Sequence, residues 1–343
     1  MQITTIGLDL AKRIFQVHAV DASGEVVIRK ALRRSQVLPF FTNLPPCLVG
    51  MEACGTSHHW ARELTKLGHE VRLMPPAYVK PYVKRGKNDA VDAEAICEAV
   101  TRPTMRFVAM KSTEQQAALS LHRTRNLLVK QRTQVVNMMR GLLAEFGIDI
   151  PEGLERALGL ARKITAGQVT PDVPEMAMQI LEHLSGQVLD THARLQAIDR
   201  SILALQRTDA VARRLSTIPG IGPVGATALA ASVADPSQFR SGREFAAWLG
   251  LTPSQNSSGG KDRLGRITKM GDRYLRKLLV VGATSLIRRA KYKPETADPR
   301  LVALLARKPA RVASVAMANK MARVVWAIMA RGETYRARHV PSL

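Results

Sequence analysis

The apolar positions of the first hundred residues fall in short runs, not at helical spacing. Ile3-Thr-Thr-Ile-Gly-Leu-Asp-Leu10 and Ile14-Phe-Gln-Val-His-Ala-Val20 each have the length of a strand, and Asp21-Ala-Ser-Gly24 turns the chain into a third run, Glu25-Val-Val-Ile28. Turns this tight predict an antiparallel meander. The pattern then alternates: a helical segment from Ser35 to Leu44, an apolar strand from Cys47 to Met51, a helix from Ser57 to Leu67, a strand from Glu70 to Met74, and a helix capped by Asn88 or Asp89. Strands that pair antiparallel first and alternate with helices afterwards predict an α/β layer domain with a mixed sheet over residues 1–110.

From about Ser112 the period changes. Leu119, Leu127, Leu128, Val135, Met138, Leu142 and Leu143 recur at three- and four-residue steps as far as Phe146, and Gly147 ends the run. After Pro151 and a loose region at Gly167 to Pro174, a second long helix is predicted from Met176 to Gln206. Across residues 111–207 these two helices make either an antiparallel hairpin or an intermolecular coiled coil for oligomerisation. Arg123, Arg125, Lys130, Arg132 and Arg140 make the first one basic, either for nucleic-acid backbone contact or as a solvated face.

Residues 208–343 read as mainly helical. Ile218-Pro-Gly-Ile-Gly-Pro-Val-Gly-Ala-Thr-Ala-Leu229 is a tight glycine hairpin between two helices, in which Gly220 and Gly222 let backbone approach a phosphate while the next helix offers free N–H groups. This is the helix-hairpin-helix signature of sequence-independent nucleic-acid binding; a purely structural corner uses the same residues. Lys291 to Leu343 reads as basic amphipathic helices.

Charge sharpens the picture. The 343 residues carry a formal charge of +23, far beyond what solubility requires, so a polyanion held by phosphate contacts is the expected partner. A hydrophobic content of 46% excludes wholesale disorder. No run of eighteen apolar residues appears and the N-terminus lacks the order of a signal peptide, so no membrane is expected and the protein is placed in the cytoplasm. Cys47, Cys54 and Cys97 lack disulfide or zinc spacing and read as buried thiols.

The order of elements over residues 1–110 is that of the RNase H or RuvC-like fold, and acids stand at telling places within it. Asp9 interrupts an apolar strand, where a lone charge is expensive to bury, and Glu52 closes the fourth strand. Asp89 and Asp92 stand three apart on one helical face after the basic loop Lys84-Arg-Gly-Lys87. Carboxylates gathered this way repel one another unless a cation lies between them, and hard divalent ions such as Mg²⁺ prefer oxygen. Each acid alone is equally a strand-end or helix-start residue. His58 and His59 read as exposed. Farther on, Trp248-Leu-Gly-Leu-Thr-Pro-Ser-Gln-Asn-Ser-Ser-Gly-Gly260 runs into Lys261, Arg263, Arg266, Lys269, Arg273 and Arg276, a composition expected of a flexible basic loop able to neutralise a phosphate.

Together the four acids, the glycine hairpin and LGLTPSQNSSGGKDRLGRITKMGDRYLRKLL resemble the DEDD insertion-sequence transposases related to the Piv DNA invertase, the bridge-RNA-guided recombinases. The resemblance covers nearly the whole chain. It implies that Asp9, Glu52, Asp89 and Asp92 are the Mg²⁺-binding acids of a RuvC-like domain, and that Ser258, directly before Gly259, is the nucleophile of a C-terminal transposase domain, with Ser257 the neighbouring alternative. It further implies donor and target DNA as substrates, a structured noncoding bridge RNA that supplies sequence choice, and dimers assembling to a tetramer. Few aromatic residues (4%) agree with that delegation of base reading. Two rival functions use the same features: a metal-dependent junction nuclease that activates water, and a non-catalytic nucleic-acid-binding protein.

Overall fold

The computed structural model describes residues 2–84, 88–261 and 263–336. Arg85, Gly86 and Lys87 of the predicted basic loop, Asp262, and the end of the predicted C-terminal basic helices lie outside the described residues. Two units emerge, Met1–Thr113 with Val233–Gln238, and Glu114–Ser232 with Phe239–Leu343.

In the first unit β1 (Thr5–Asp9), β2 (Ile14–Val20) and β3 (Val26–Arg33) form the expected meander, followed by α1 (Val37–Thr42), β4 (Leu48–Glu52), α2 (Ser57–Lys66), β5 (Glu70–Met74), α3 (Pro76–Val79) and α4 (Asp89–Val100). The sheet order is β3-β2-β1-β4-β5, antiparallel through the meander and parallel across β1, β4 and β5. It is a mixed sheet, as expected. β3 runs five residues farther than its apolar stretch, because it is an edge strand whose Arg29, Lys30 and Arg33 leave no hydrophobic signal while Arg33 still pairs with Ile14.

Strand alternation divides the core. Ile6 and Leu8 of β1 join Phe15, Val17, Phe41, Val49, Met51, Trp60 and Leu64 on the face covered by α1 and α2. Gly7 faces the other way. A side chain there would strike the backbone of α4 at Ala93 and Cys97, and one at Gly50, its partner in register, would strike Val100. Two bare glycines side by side thus let α4 lie directly on the sheet, with Ile96, Ala99 and Val100 buried beneath it. Each large side chain so buried contributes roughly 1.5–3 kcal/mol.

The second unit contains α5 (Thr113–Ala144), α6 (Leu154–Thr165), α7 (Glu175–Thr208), α8 (Ala210–Leu215), α9 (Pro223–Ser232), α10 (Gly242–Trp248), β6 (Pro253–Gln255), β7 (Leu264–Ile267), α11 (Arg273–Tyr292), α12 (Pro299–Arg307) and α13 (Ala310–Arg331). The two long helices pair within one chain. Arg125 Nε donates to Asp199 Oδ1 at 2.6 Å, and seven residues later Arg132 donates to His192 Nδ1 at 2.9 Å, seven residues earlier on α7. That register is antiparallel. α6 was not expected from the sequence; its Ala157, Leu158, Ala161 and Ile164 are buried, the first three in a core with Val135, Met139, Leu143, Leu181 and Val188. α13 meets the length and hydropathy of a membrane-crossing helix by composition. Here Ala313, Ala318, Met321, Ala322, Val325 and Ile328 are buried within the unit.

A buried polar chain ties three helices of this unit, α5, α9 and α11, together. Thr227 Oγ1 donates to the Pro223 carbonyl at 2.7 Å, so it accepts from His122 Nε2 at 3.0 Å. Nδ1 of the same ring then accepts from the Tyr274 hydroxyl at 3.2 Å. The imidazole is therefore neutral, and burial, with Arg125 nearby, pushes its pKa down to about 4.

Candidate active site

The carboxylates gather at one end of the sheet. β1 and β4 are parallel neighbours with Leu8 opposite Met51, so Asp9 and Glu52 leave adjacent strands at the same level. α4 starts over that end. Its N-cap is Asn88, whose side chain accepts the Ala90 N–H at 3.1 Å, and Asp89 and Asp92 fill its first turn. On another face of α4, Glu94 binds Lys84 at 2.6 Å and Arg29 at 3.7 Å, fixing the helix to the edge of the sheet.

Electrostatics show which acids feel one another. Burial pushes the Asp9 carboxyl up to about 6, and the charges of Asp92 and Asp89 push the same way. Glu52 is raised by burial, then by Asp9 and Asp92. All the donors are carboxylate oxygens, and their repulsion is what a hard divalent cation relieves, so the residues fit Mg²⁺ in chemistry. They are not drawn into a chelating group: among the described residues no three His, Cys, Asp or Glu side chains stand close enough to hold an ion.

The serine segment is a β-hairpin, where the sequence suggested a flexible loop. β6 and β7 pair antiparallel, Ser258 and Lys261 bridge at the tip, and Lys261 N–H donates to the Ser258 carbonyl at 3.1 Å. Gly259 and Gly260 have φ of +57° and +74°, the left-handed pair that a two-residue type I′ turn requires. Composition hid the hairpin because its strands are short and polar; the Gly-Gly pair was the legible signal. Its base is clasped. Thr268 N–H donates to the Thr252 carbonyl at 2.9 Å and Lys269 N–H to the Gly250 carbonyl at 3.2 Å, while a side chain at Gly271 would strike the Trp248 carbonyl.

The two candidate serines differ. The Ser257 hydroxyl accepts the Arg263 N–H at 3.1 Å, whereas Ser258 is exposed and its hydroxyl has no hydrogen-bond partner among the described residues. Lys261, Arg263, Arg266, Lys269 and Arg273, on the hairpin and the segment that follows it, are exposed. Arg276 has a further task, since its guanidinium donates to the Leu249 and Met270 carbonyls, both at 2.9 Å, and so bolts the hairpin base to α11.

Other sequence candidates find their places. Gly220, at φ +84°, packs against Gly282, Leu286 and Met321, so the corner reading accounts for it; Gly222 is exposed beside α9 with nothing near its missing side chain. His58 is half-buried and accepts the Lys111 N–H at 3.2 Å, while His59 is exposed. Cys47 and Cys97 are buried as expected. Cys54 is exposed, because it follows Glu52 out of the sheet into a connecting turn.

Comparison with known proteins adds a lineage. Residues 212–298 match the family described as transposase IS116/IS110/IS902, and residues 6–148 match the DEDD transposases of IS110. A probable family 20 transposase of Pseudomonas aeruginosa is 51% identical over 337 residues, 98% of this chain and 99% of the relative. The putative transposase y4pF/y4sB of Sinorhizobium fredii is 47% identical over 98% of this chain and 86% of its own length. The transposase for insertion sequence element IS1111A of Coxiella burnetii is 38% identical over 97% of this chain and 92% of its own.

Proposed function

The chain belongs to the IS110-type DEDD transposase family, and from that premise we propose that it is a serine recombinase that cuts and rejoins DNA at the ends of its mobile element. The observation that carries this reading is the hairpin: a hydroxyl with no partner among the described residues, held at the tip of a clasped turn whose strands and flanks carry exposed cations. Ser258 Oγ attacks the scissile phosphorus and forms a phosphoserine ester. The bond from phosphorus to the departing deoxyribose oxygen breaks, that oxygen leaves as a hydroxyl with the proton given up by the serine, and the bond energy is stored. Attack by the free hydroxyl of the exchanged strand reverses the step and releases Ser258. Lys261, Arg263, Arg266, Lys269 and Arg273 offset the charge on the phosphate oxygens.

Asp9, Glu52, Asp89 and Asp92 are assigned as the ligands of Mg²⁺, which when bound supplies Lewis-acid stabilisation of the phosphate. Sequence choice is assigned to a bridge RNA paired with donor and target DNA, in keeping with a charge of +23 and few aromatics. The N-terminal residues 1–110 are read as the RuvC-like part, 111–207 as an oligomerisation region, and 208–343 as the part that presents the serine, in a dimer that assembles to a tetramer in the cytoplasm. Gly222, beside the N-terminus of α9, is a backbone contact to phosphate in this reading.

The test is a denaturing gel of end-labelled element-junction DNA incubated with protein, Mg²⁺ and RNA transcribed from the element's noncoding flank. A protein-linked DNA band is expected, lost by at least about 10³-fold in Ser258→Ala. Free ends without an adduct, abolished by Asp9→Ala alone, would replace this reading with that of a metal nuclease.

A further inference from the structure

The first unit holds a cavity that the carboxylate chemistry does not use. Lys12 and Arg13 from the β1–β2 turn, Arg33 and Arg34 at the end of β3, and His59 and Trp60 from the start of α2 line a space of about 650 Å³. Elsewhere in this unit several basic side chains are paired: Arg29 and Lys84 with Glu94, Arg72 with Glu70, Arg102 with Glu98. The four Lys and Arg of the cavity have no carboxylate partner among the described residues. Positive charge is left unspent here.

Two features make the cavity built and not merely basic. The Arg34 guanidinium lies 5.1 Å from the centre of the Trp60 ring, and Arg34 N–H donates to the Arg13 carbonyl at 2.9 Å, so two arginines are held in fixed relation. Trp60 itself is a core residue, edge-to-face with Phe15 at 5.1 Å. Its face orients a guanidinium and is not open to a base. The chemistry therefore selects an anion, recognised by forked donors, over a stacking ring.

Position names the anion. Lys12 follows Asp9 by three residues, and α2 follows Glu52 after a short turn, so the cavity opens at the same end of the sheet as the carboxylates, on the α2 side, while strand alternation puts Asp9 and Glu52 with Gly7 and Gly50 on the α4 side. Carboxylates repel a polyanion, and a strand brought to them needs cations beside them. We propose that this cavity is a phosphate subsite for the DNA strand on which the carboxylates act, gripping that strand where it passes across the end of the sheet. That the strand it grips is the one to be cut rests on the proposed function; that it binds a DNA strand does not.

The experiment uses the full chain and a single-stranded DNA oligonucleotide, with an RNA of the same sequence in parallel. Acetylation of Lys12 and phenylglyoxal modification of Arg13, Arg33 and Arg34, read by mass spectrometry, should slow when DNA is bound, while Lys66, at the opposite end of α2 from His59 and paired with Glu63, keeps its rate. In the Arg13→Ala/Arg34→Ala double variant the slope of log affinity against log salt should fall by about 0.7 for each phosphate that is no longer neutralised. Arg34→Lys, which keeps the charge, should retain the slope. Unchanged modification rates in the wild-type protein with DNA bound would overturn the proposal, and that readout needs no variant to fold. Protection by the RNA and not by the DNA would overturn it as well. Protection by DNA in a protein that forms no covalent adduct would leave the subsite standing and remove only the serine reading.

Discussion

The acidic end of the sheet and the serine hairpin are placed by opposite means. Asp9 and Glu52 end adjacent buried strands, and α4 is seated on those strands by Gly7 and Gly50, so the position of the carboxylates is a property of the core of the first unit. Ser258 tops a two-stranded hairpin that buries little side chain, and its position comes from backbone hydrogen bonds and a two-arm guanidinium at the base. A core sets the first site and a clasp sets the second. Damage to the first should therefore unfold its unit, while damage to the second should misplace the serine and leave the fold standing.

The sharpest test pairs two glycine changes. Gly7→Ala forces a side chain into the α4 backbone and should destabilise the first unit by about 3 kcal/mol or more, lowering its thermal midpoint. Gly271→Ala meets the Trp248 carbonyl at φ +78° and is just as strained locally. Its cost falls on the hairpin, so adduct formation should fail while circular dichroism and the melting midpoint of the second unit stay near wild type. A Gly271→Ala protein that melted as early as Gly7→Ala would show that the hairpin is part of the core after all.

The same contrast explains how much was legible in the sequence. β1, β2, β4, β5 and α4 followed from apolar runs and an N-cap because burial imposes a pattern on the residues themselves. Asp9 stood out because it breaks such a run. α6 was legible in principle, since Leu154, Ala157, Leu158, Ala161 and Ile164 keep helical spacing between Gly153 and Gly167, but alanines are a faint apolar signal. The hairpin, the link from Arg276 to Leu249 and the chain from His122 to Tyr274 depend on partners 27 and 152 residues apart that leave no periodic trace. Backbone clasps are silent in a sequence.

A smaller effect separates the two units by pH. Asp9, raised to about 6, takes up its proton in the native state before it would when unfolded, so between pH 6 and 4 acid stabilises the first unit. His122, lowered to about 4, stays neutral when native while the unfolded chain gains a proton below pH 6.5, so over nearly the same window acid destabilises the second. After allowing for solvent screening, the His122 contribution is about 2 kcal/mol and that of Asp9 about 1–2 kcal/mol. Thermal melts without divalent metal should show Asp9→Asn gaining stability at pH 7 and little at pH 4. His122→Gln should flatten the acid loss. A gain at pH 7 that saturating Mg²⁺ cancels would tie the strain at Asp9 to a missing cation.

The smallest effect discriminates most finely between the two serines. The Ser257 hydroxyl accepts the Arg263 N–H across the hairpin, at an exposed position where water can replace it, so Ser257→Ala should cost only about 0.5–1 kcal/mol of local stability. Faster hydrogen exchange at Arg263 would report that loss while the covalent adduct persists. Ser258→Ala removes a hydroxyl that has no partner among the described residues, so exchange at Arg263 should not change while the adduct vanishes. If the adduct instead disappears in Ser257→Ala and survives in Ser258→Ala, the bonded serine is the nucleophile, and the hydrogen bond to Arg263 must open before the hydroxyl can reach phosphorus.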